Sequence, residues 1–484
     1  MAQDEIESVR KERLGVFAIA LMIIAASAPL TVIGGGATTA FTVTESIAVP
    51  IGYVVLTIGL SLFAVGYAAM SRHISNSGAF YSYAAHGLGR PMGLGVSIVA
   101  LVTYNCMQIG LYGLLGFQVA EYLGHSVPWW IVAMGFVIIV GAFGVNRLDF
   151  SAKVLGVLVA IEFLVVAIFD VAAFHNPAEQ LTAKPILPSE LFTPGIGAVL
   201  VFGVAAFMGF EQAAIYSEEA KDPKRTVARA TFVAVLVIGL FYAFSSWALA
   251  LAVGPERIAS GSISPEEAGP PMFFAFVAAN LGSFMTNLIS VLFTTSVFAA
   301  VLSFHNAIAR YVFSLGREGI MPSVLGRCRT NGTPWVASLA QSILAIAVIA
   351  AFAIAGSNSG QGPLYPVVTL FNWLTNTGAM GLVLLMVLIS LAVIGYFRKG
   401  KRDTGLWSRL IAPLISLVVM IVIYYLILKN FNILLGQEKA STATYILPLV
   451  LIVPGLIGVF WGFLLKRISP SVYAGIGQVN QDNR

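Results

Sequence analysis

Glu162 is the residue in this sequence whose position points most clearly to chemistry. It stands in the apolar stretch SAKVLGVLVAIEF (151–163), about nine residues and roughly 13 Å of helical rise beyond Lys153. If Lys153 marks the end of a membrane helix, the Glu162 carboxyl group lies near mid-membrane, where an ionisable group is costly and usually functional. Such a carboxyl group exchanges a proton or binds a cationic group. The alternative is a neutral glutamic acid that hydrogen-bonds to a neighbouring helix and fixes its packing.

Two apolar stretches carry residues that interrupt helices. AASAPLTVIGGGATTAF (25–41) contains Pro29 and the triplet Gly34–Gly36, and GVAAFMGFEQAA (203–214) contains Gly209. An interruption frees backbone N–H and C=O groups, which are tolerated at membrane depth only where protein, water or a ligand satisfies them. The alternative is close helix packing, because glycine and small residues also serve that purpose in membrane helices. The glycine triplet either extends the first interruption or lets helices approach.

A further polar group stands in VTYNCMQIG (102–110), which contains Thr103, Tyr104 and Gln108. These side chains either line a solute site or form interhelical hydrogen bonds. Phe304 is a candidate aromatic gate, with an ordinary apolar stripe as the alternative. His305 is expected near the inner end of its helix, close to Arg310, as an interfacial histidine.

The sequence offers no catalytic or metal-binding pattern. Its two cysteines, Cys106 and Cys328, are far apart, and its five histidines show no metal-ligand spacing. Neither a Ser/His/Asp grouping nor a phosphate-binding loop is recognisable. We therefore expect a protein that is not an enzyme and that needs no cofactor or metal.

The composition places these residues in a membrane protein. The chain has 484 residues, of which 58% are hydrophobic and 10% charged, whereas soluble domains carry about 25% charged residues. Such a chain cannot cover a water-facing surface, so its main partner is the lipid bilayer. Hydropathy predicts about twelve spans, near 14–40, 48–70, 92–121, 128–145, 150–173, 195–217, 227–253, 272–305, 335–355, 365–396, 407–428 and 443–465.

Loop charges predict the orientation. All but four of the 27 Lys and Arg residues fall on one side, and positive residues favour the cytoplasmic side. We expect a multi-pass protein of the plasma (bacterial inner) membrane with cytoplasmic tails at 1–13 and 467–484. The net charge of +5 reflects this bias and does not suggest a nucleic acid partner. The exceptions, on the outer side, are Lys184, Arg257, Lys429 and Lys439.

Three stretches resemble the amino acid–polyamine–organocation (APC) superfamily of permeases. They are SRHISNSGAFYSYAAHGLGRPMG (71–93), FMGFEQAAIYSEEAKDPKRTVARA (207–230) and ARYVFSLGREGIMPSVLGRCRTNGTPWVA (309–337). The resemblance implies an all-α polytopic membrane protein with the LeuT-type fold of 5+5 inverted repeats, about twelve helices, and discontinuous helices 1 and 6. A single transporter domain, 14–466, would then comprise repeats at about 14–173 and 195–396 and extra helices at 407–466.

The resemblance also implies the site. Backbone groups at the helix 1 break, about Ser27, Ala28, Pro29, Leu30 and Thr31, would bind a substrate carboxylate. Carbonyls of Ala205, Ala206 and Phe207 at the helix 6 break would accept its amino group. Lining residues would include Thr103, Tyr104, Gln108 and Phe304. For Glu211 we favour a structural network over the alternative role of substrate ligand. The loop charges themselves indicate a solvated cytoplasmic face that forms a charge-balanced inner gate or loop brace, comprising Glu218, Glu219, Lys221, Asp222, Lys224 and Arg225.

Two departures from the family bear on substrate and coupling ion. Pro29 has no N–H, so the cradle lacks one donor for a carboxylate. Glu162 aligns where many proton-coupled members carry a lysine that is thought to replace a sodium ion. The sodium-site equivalent in helix 8 reads FAAV (298–301), without a Ser/Thr pair, although Thr294–Ser296 lie one turn earlier. The sequence therefore favours a proton over sodium, with Glu162 as the proton-coupling residue.

The predicted function is secondary active transport. A small-molecule substrate, an amino acid or related amine, would be imported by alternating access. One alternative is a polyamine or organocation importer or exchanger, which would suit Glu162 and Pro29. Another, of a different class, is a transporter-like nutrient receptor.

Overall fold

The computed structural model describes most of the chain. Glu218, Glu219 and the predicted N-terminal tail lie outside the described residues, as do the side chains of Lys153 and Lys224 and the last residues of the predicted C-terminal tail. The described residues are 14–74, 80–146, 152–193, 195–213, 220–264, 267–329, 332–357, 359–398, 400 and 404–477.

The described chain is helical, with one isolated β-bridge between Leu14 and Ala220. Twelve helical segments are long and apolar enough to cross a membrane, which confirms the predicted number. We call them spans 1 to 12. They are Val16–Thr44, Val49–Ser71, Arg90–Tyr122, Trp129–Asn146, Gly156–His175, Ile196–Ala213, Arg225–Val253, Pro270–Arg317, Trp335–Gly356, Gly362–Arg398, Trp407–Lys429 and Thr442–Ile468.

Some spans consist of more than one helix, and short helices also lie in the connections between spans. The α-helices are Val16–Ser27, Pro29–Thr31, Thr38–Thr44, Val49–Ser71, Phe80–Gly87, Arg90–Tyr122, Trp129–Asn146, Ala152–His175, Ile196–Phe207, Pro223–Val253, Pro255–Ala259, Pro270–Arg317, Trp335–Gly356, Asn372–Arg398, Ala412–Lys429, Phe431–Leu434, Thr442–Ile468 and Pro470–Gly475. Short 3-10 helices are Lys184–Ile186, Pro188–Phe192, Ser323–Gly326 and Gly362–Leu364. Turns of π-helix are Val32–Ala37, Pro366–Phe371 and Trp407–Ile411.

Span 1 departs from α-helical geometry at Ala28. The first helix ends at Ser27, and Ala28 has the left-handed angles φ 48° and ψ 71°. Helical geometry resumes at Pro29, the first position of the next segment, where a missing N–H costs nothing. A non-glycine residue in the left-handed region is unfavourable by about 1 kcal/mol, so surrounding contacts must hold this turn in place.

The glycine triplet of span 1 lies in a turn of π-helix, Val32–Ala37. Such turns leave backbone groups imperfectly paired, and here Thr38 donates its hydroxyl to the Gly34 and Gly35 carbonyls. A Cβ on Gly34 would lie 3.2 Å from a ring carbon of Phe273. The triplet thus lies in a distorted turn of a continuous helix and leaves room for an aromatic ring of span 8, as the packing alternative predicted.

Span 6 leaves helical geometry after Phe207. Met208 has ψ 132°, and Gly209 has φ 113°, which is accessible to glycine and strained for other residues. A Cβ on Gly209 would lie 3.1 Å from the Cβ of Ala26 in span 1. The non-helical Gly209 of span 6 therefore packs against the last turn of the first helix of span 1, although about 180 residues separate the two along the chain.

Span 8 is longer than predicted. Hydropathy placed its inner end near residue 305, whereas the helix continues to Arg317, with non-helical angles at Gly282 (φ 78°, ψ 172°). His305 is therefore buried well inside the span, where its Nε2 lies 2.7 Å from the Ser338 hydroxyl. The expectation of an interfacial histidine beside Arg310 was wrong because the apolar pattern stops before the helix does.

Burial differs sharply among the spans. Spans 3 and 6 are largely enclosed by other helices, whereas spans 4, 9 and 12 are largely exposed. The exposed faces carry large apolar side chains such as Ile138, Ile354 and Phe460. Apolar surface of this extent is tolerated where lipid covers it. The interrupted span 6 therefore lies at the centre of the bundle.

A short segment after span 12 binds the end of span 8. The Tyr81 hydroxyl donates to the Glu318 carboxylate, and the Gly477 N–H donates to the Tyr81 hydroxyl oxygen at 2.6 Å and to Glu318 Oε2 at 3.3 Å. The Arg90 guanidinium lies 5.3 Å from the centroid of the Tyr473 ring. Residues 470–477 are thereby fixed against the helix Phe80–Gly87 and the end of span 8.

Glu318 makes this contact dependent on pH. Burial raises the pKa of its carboxyl from 4.5 to about 7, although hydrogen bonds from Tyr81 and Gly477 and the nearby Arg317 charge oppose the shift. Because the folded pKa exceeds the unfolded one, the stabilisation is complete below about pH 4.5 and is lost as the pH rises through about 7. We expect Glu318→Gln to remove this component, worth at most about 3 kcal/mol.

The measurement is the thermal midpoint of detergent-solubilised protein between pH 5 and 8. The wild-type midpoint should fall more steeply than that of Glu318→Gln, whereas Glu438→Gln, at an exposed position, should follow the wild type. Equal slopes for all three proteins would contradict the assignment to Glu318.

Candidate functional site

Glu162 is buried where spans 1, 5 and 8 meet. Its side chain is 5% exposed. Its Oε2 atom accepts a hydrogen bond from the Leu30 N–H at 3.2 Å and another from the Ser296 hydroxyl at 2.9 Å. The carboxyl group therefore binds the backbone of span 1 two residues beyond its left-handed residue.

The other predicted cradle residues of span 1 surround this contact. The Ser27 hydroxyl donates to the Ile23 carbonyl, and the Ser27 carbonyl accepts from the Tyr242 hydroxyl at 3.2 Å. Ala28 and Pro29 shape the turn, whereas the buried Thr31 hydroxyl has no partner among the described residues. Leu30 thus offers a backbone donor that Glu162 already occupies, and Thr31 offers an unpaired hydroxyl.

Glu211 satisfies the non-helical turn of span 6. Its Oε2 accepts from the Gly209 N–H at 3.0 Å, and its backbone carbonyl accepts from the Tyr67 hydroxyl at 3.0 Å. The Ala205 carbonyl accepts from the Met208 N–H. These are the contacts of a structural carboxylate, which is the role that the sequence favoured for Glu211.

Ala205, Ala206 and Phe207 end the helical part of span 6 beside the turn of span 1. The Phe207 ring centroid lies 5.9 Å from that of Tyr242 and 6.2 Å from that of Tyr53. Tyr242 in turn donates to the Ser27 carbonyl. An aromatic cluster of spans 2, 6 and 7 therefore packs against the predicted carboxylate cradle. Sequence reasoning had not selected Tyr242, since nothing in its apolar surroundings distinguishes it.

The structure separates the predicted lining residues into two groups. Tyr104 and Phe304 face each other, with ring centroids 6.2 Å apart. The Gln108 side chain instead donates to the Val301 carbonyl at 3.3 Å and accepts from Gln341 of span 9.

Thr103 faces span 10, because a Cβ on Gly381 would collide with its hydroxyl. Tyr104 and Phe304 therefore remain lining candidates, whereas Gln108 and Thr103 make interhelical contacts.

The meeting point of spans 1 and 6 is closed to solvent in this structure. Ala28, Leu30 and Phe207 are all buried. A cavity of about 350 Å³ lies beside the last turn of span 1, at Thr42, roughly 20 Å of helical rise from Ala28. Its lining includes Thr42, Phe117, Ile263, Pro270, Leu364 and Val367.

The described residues contain no cluster of three or more metal-ligating side chains. The two cysteines are free, with Cys106 buried in span 3 and Cys328 exposed after span 8. The chemistry of the site therefore rests on Glu162, on backbone dipoles and on hydroxyl groups.

Comparison with known proteins identifies the family. The sequence model of the amino acid permease family matches residues 14–457, nearly the whole chain. The chain belongs to the amino acid permease family. Together with its twelve apolar spans, this membership makes the permease a multi-pass membrane protein.

Three curated relatives illustrate the family. The permease is 25% identical to the low-affinity putrescine importer PlaP of Escherichia coli K12 over 280 residues, 57% of this chain and 60% of the relative. It is 23% identical to the aromatic amino acid transport protein AroP of the same organism over 366 residues, 71% of each chain. It is 29% identical to the histidine permease HisP of Lactococcus lactis over 216 residues, 43% of this chain and 44% of the relative. The aligned region thus spans less than two thirds of the putrescine importer.

Proposed function

We propose that the permease imports an amino acid or related small amine by proton-coupled secondary active transport. The observation that carries the proposal is the hydrogen bond between the Leu30 N–H and Glu162, beside the contact of Gly209 with Ala26. Backbone groups exposed at interrupted helices form solute sites in transporters of this kind. We infer that the protein is a transporter and not an enzyme, because the family to which it belongs is one of permeases.

Alternating access then moves the two interrupted spans against the rest of the bundle. Each of the proposed repeats, about 14–173 and 195–396, contributes one interrupted span to the moving part, and the helices at 407–466 are additional. The protein lies in the plasma (bacterial inner) membrane with both termini cytoplasmic, because nearly all Lys and Arg residues fall on one side.

Glu162 couples the proton to the substrate. An ionised carboxylate accepts the Leu30 N–H strongly, because hydrogen bonds to charged groups are stronger than those between neutral groups. A proton on Glu162 weakens that bond and frees the donor for a substrate carboxylate. Ser296, the nearest hydroxyl of span 8, is bound to Glu162, which favours a proton over sodium at this position.

A carboxylate-free amine is the second candidate substrate. Ionised Glu162 supplies a negative charge beside the break of span 1, where Pro29 offers no N–H. This arrangement suits an organocation, and one relative is named as a putrescine importer.

Uptake into proteoliposomes tests the proposal. Radiolabelled histidine, phenylalanine and putrescine serve as probes, with an imposed pH gradient, acidic outside. We expect at least one probe to accumulate, a protonophore to abolish the accumulation, and replacement of sodium by choline to leave it unchanged. Accumulation of putrescine alone would select the organocation. Accumulation that requires sodium, or none for any probe, would contradict the proposal.

A further inference from the structure

Asp170 is a second buried carboxyl group on span 5. Its side chain is 4% exposed. Its Oδ2 atom accepts a hydrogen bond from the Ser245 hydroxyl of span 7 at 2.8 Å, and its buried Oδ1 atom has no partner among the described residues. Burying an ionised carboxylate that has an unpaired oxygen costs much free energy, whereas burying the neutral acid costs much less. The burial and the unpaired oxygen therefore favour the protonated form of the Asp170 carboxyl.

Asp170 and Glu162 lie on the same face of one helix. Eight residues, two helical turns and roughly 12 Å of rise separate them, and the fully buried Val166 lies between them. Asp170 is five residues from His175, where the helix ends. Asp170 therefore lies between that end, which is the outer end in the proposed orientation, and Glu162.

Span 7 presents two hydroxyl groups along this line. Ser245 contacts Asp170, and Tyr242, three residues earlier and on the same face, donates to the Ser27 carbonyl. Glu162 binds Leu30, three residues beyond Ser27. One hydroxyl of span 7 thus contacts the Asp170 carboxyl, and another contacts the turn of span 1 that Glu162 holds.

Aromatic side chains pack around the residue next to Asp170 on the same helix. The adjacent Phe169 packs on Phe273 and Phe276 of span 8, with centroids 4.7 and 5.4 Å apart. No Lys or Arg of the described chain forms an ion pair with Asp170. The titratable groups along this path are Tyr242 and Glu162 on one side and the exposed His175, whose Nδ1 lies 3.0 Å from the Val171 carbonyl, on the other.

We propose that Asp170 is a proton relay between the outer end of span 5 and Glu162. It takes a proton from water at the outer end onto its free oxygen and releases it inward toward Glu162, on the side where its carboxyl contacts the Ser245 hydroxyl of span 7. Only O–H bonds break and form, and each group regains its resting state when the proton moves on. This role rests on the proposed proton-coupled transport and adds a residue that carries the proton without touching the substrate.

Three variants of the full-length protein in proteoliposomes test the relay. Asp170→Asn keeps an acceptor for Ser245 but cannot titrate, so proton-driven uptake should fall at least about tenfold. Asp170→Glu restores a carboxyl group and should recover most of that loss. Ser245→Ala keeps the carboxyl and should lose less than Asp170→Asn. Substrate counterflow without a pH gradient needs no net proton transfer and should stay within about twofold of wild type in all three.

The outcomes separate the relay from the proposed function. If protons drive uptake by the wild type and the uptake rate of Asp170→Asn equals the wild-type rate, the relay is overturned and the proposed function stands. Equal losses in Asp170→Asn and Asp170→Glu, or a parallel loss of counterflow, would assign Asp170 a structural role and also overturn it. If Asp170→Asn does not fold, the Ser245→Ala variant tests the relay instead. Proton-driven uptake by Ser245→Ala at the wild-type level would reject a path through span 7. Wild-type uptake indifferent to the pH gradient would overturn both proposals.

Discussion

Replacing Glu162 with glutamine is expected to abolish uptake driven by a pH gradient. Glutamine keeps the size of the side chain and an oxygen that accepts the Leu30 N–H, so the turn at Ala28 retains its support. It cannot take up or release a proton, so the Leu30 donor stays in the weakly bound state of neutral Glu162 and no longer responds to the pH gradient. We expect proton-driven accumulation to fall at least about 100-fold, as when a group that transfers the proton is removed.

The measurement compares accumulation with counterflow in the same proteoliposomes. Counterflow of Glu162→Gln should persist within about tenfold of wild type, because binding and alternating access remain. Ser296→Ala is the matched control, since it removes one hydrogen bond to Glu162 and leaves the carboxyl. Its accumulation should fall by less than about tenfold, the effect of a single hydrogen bond. Proton-driven uptake by Glu162→Gln at the wild-type level would reject Glu162 as the coupling residue.

Gly87→Ala is expected to cause the largest loss of stability among single-residue changes considered for this chain. A Cβ at Gly87 would lie 2.1 Å from the Ala392 carbonyl oxygen and 2.6 Å from its carbonyl carbon, both backbone atoms of span 10. From the other side, a Cβ at Gly395 would lie 2.7 Å from the Gly87 carbonyl oxygen. Backbone cannot yield as a flexible side chain does, so the helix Phe80–Gly87 must separate from span 10, at a cost above about 3 kcal/mol.

The thermal midpoint in detergent, followed by size-exclusion chromatography, measures this effect. Gly135→Ala is the control, because a Cβ there meets nothing within 4 Å and alanine favours a helix over glycine by up to about 1 kcal/mol. We expect Gly135→Ala to match or exceed the wild type, and Gly87→Ala to unfold several degrees lower or to aggregate. Equal midpoints for the two variants would contradict the close approach of these helices.

Hydropathy predicted the number of spans and most of their ends, because a bilayer demands about 20 apolar residues per helix. The hydropathy prediction failed where a helix extends beyond its apolar residues or is too short to give a hydropathy signal. Span 8 continues past residue 305 to Arg317 because its inner turns pack against other parts of the protein. The helix Phe80–Gly87 was not predicted either, since eight residues are too few for a hydropathy signal.

The position of Glu162 was predictable, but its partners were not. One lysine and a helical rise predicted a carboxyl group near mid-membrane, which stays a prediction, and the structure buries this carboxyl among the helices. Leu30 and Ser296 lie more than 130 residues away along the chain, so only the packing of three spans reveals them. Gln108 shows the opposite limit, since a polar residue in span 3 suggested a lining role and the fold paired it with Gln341. Asp170 was not selected from the sequence, and its partner Ser245 lies 75 residues further along the chain.

The two thiols differ in accessibility, and this difference makes it possible to determine which side of the membrane one connection faces. Cys328 is exposed in the connection between spans 8 and 9, whereas Cys106 is shielded within span 3. A maleimide that cannot cross lipid therefore has a single target in the folded protein, without any engineered site. Reaction of Cys328 in sealed cells would place that connection outside the cell. Reaction only in inverted vesicles would place it on the cytoplasmic side.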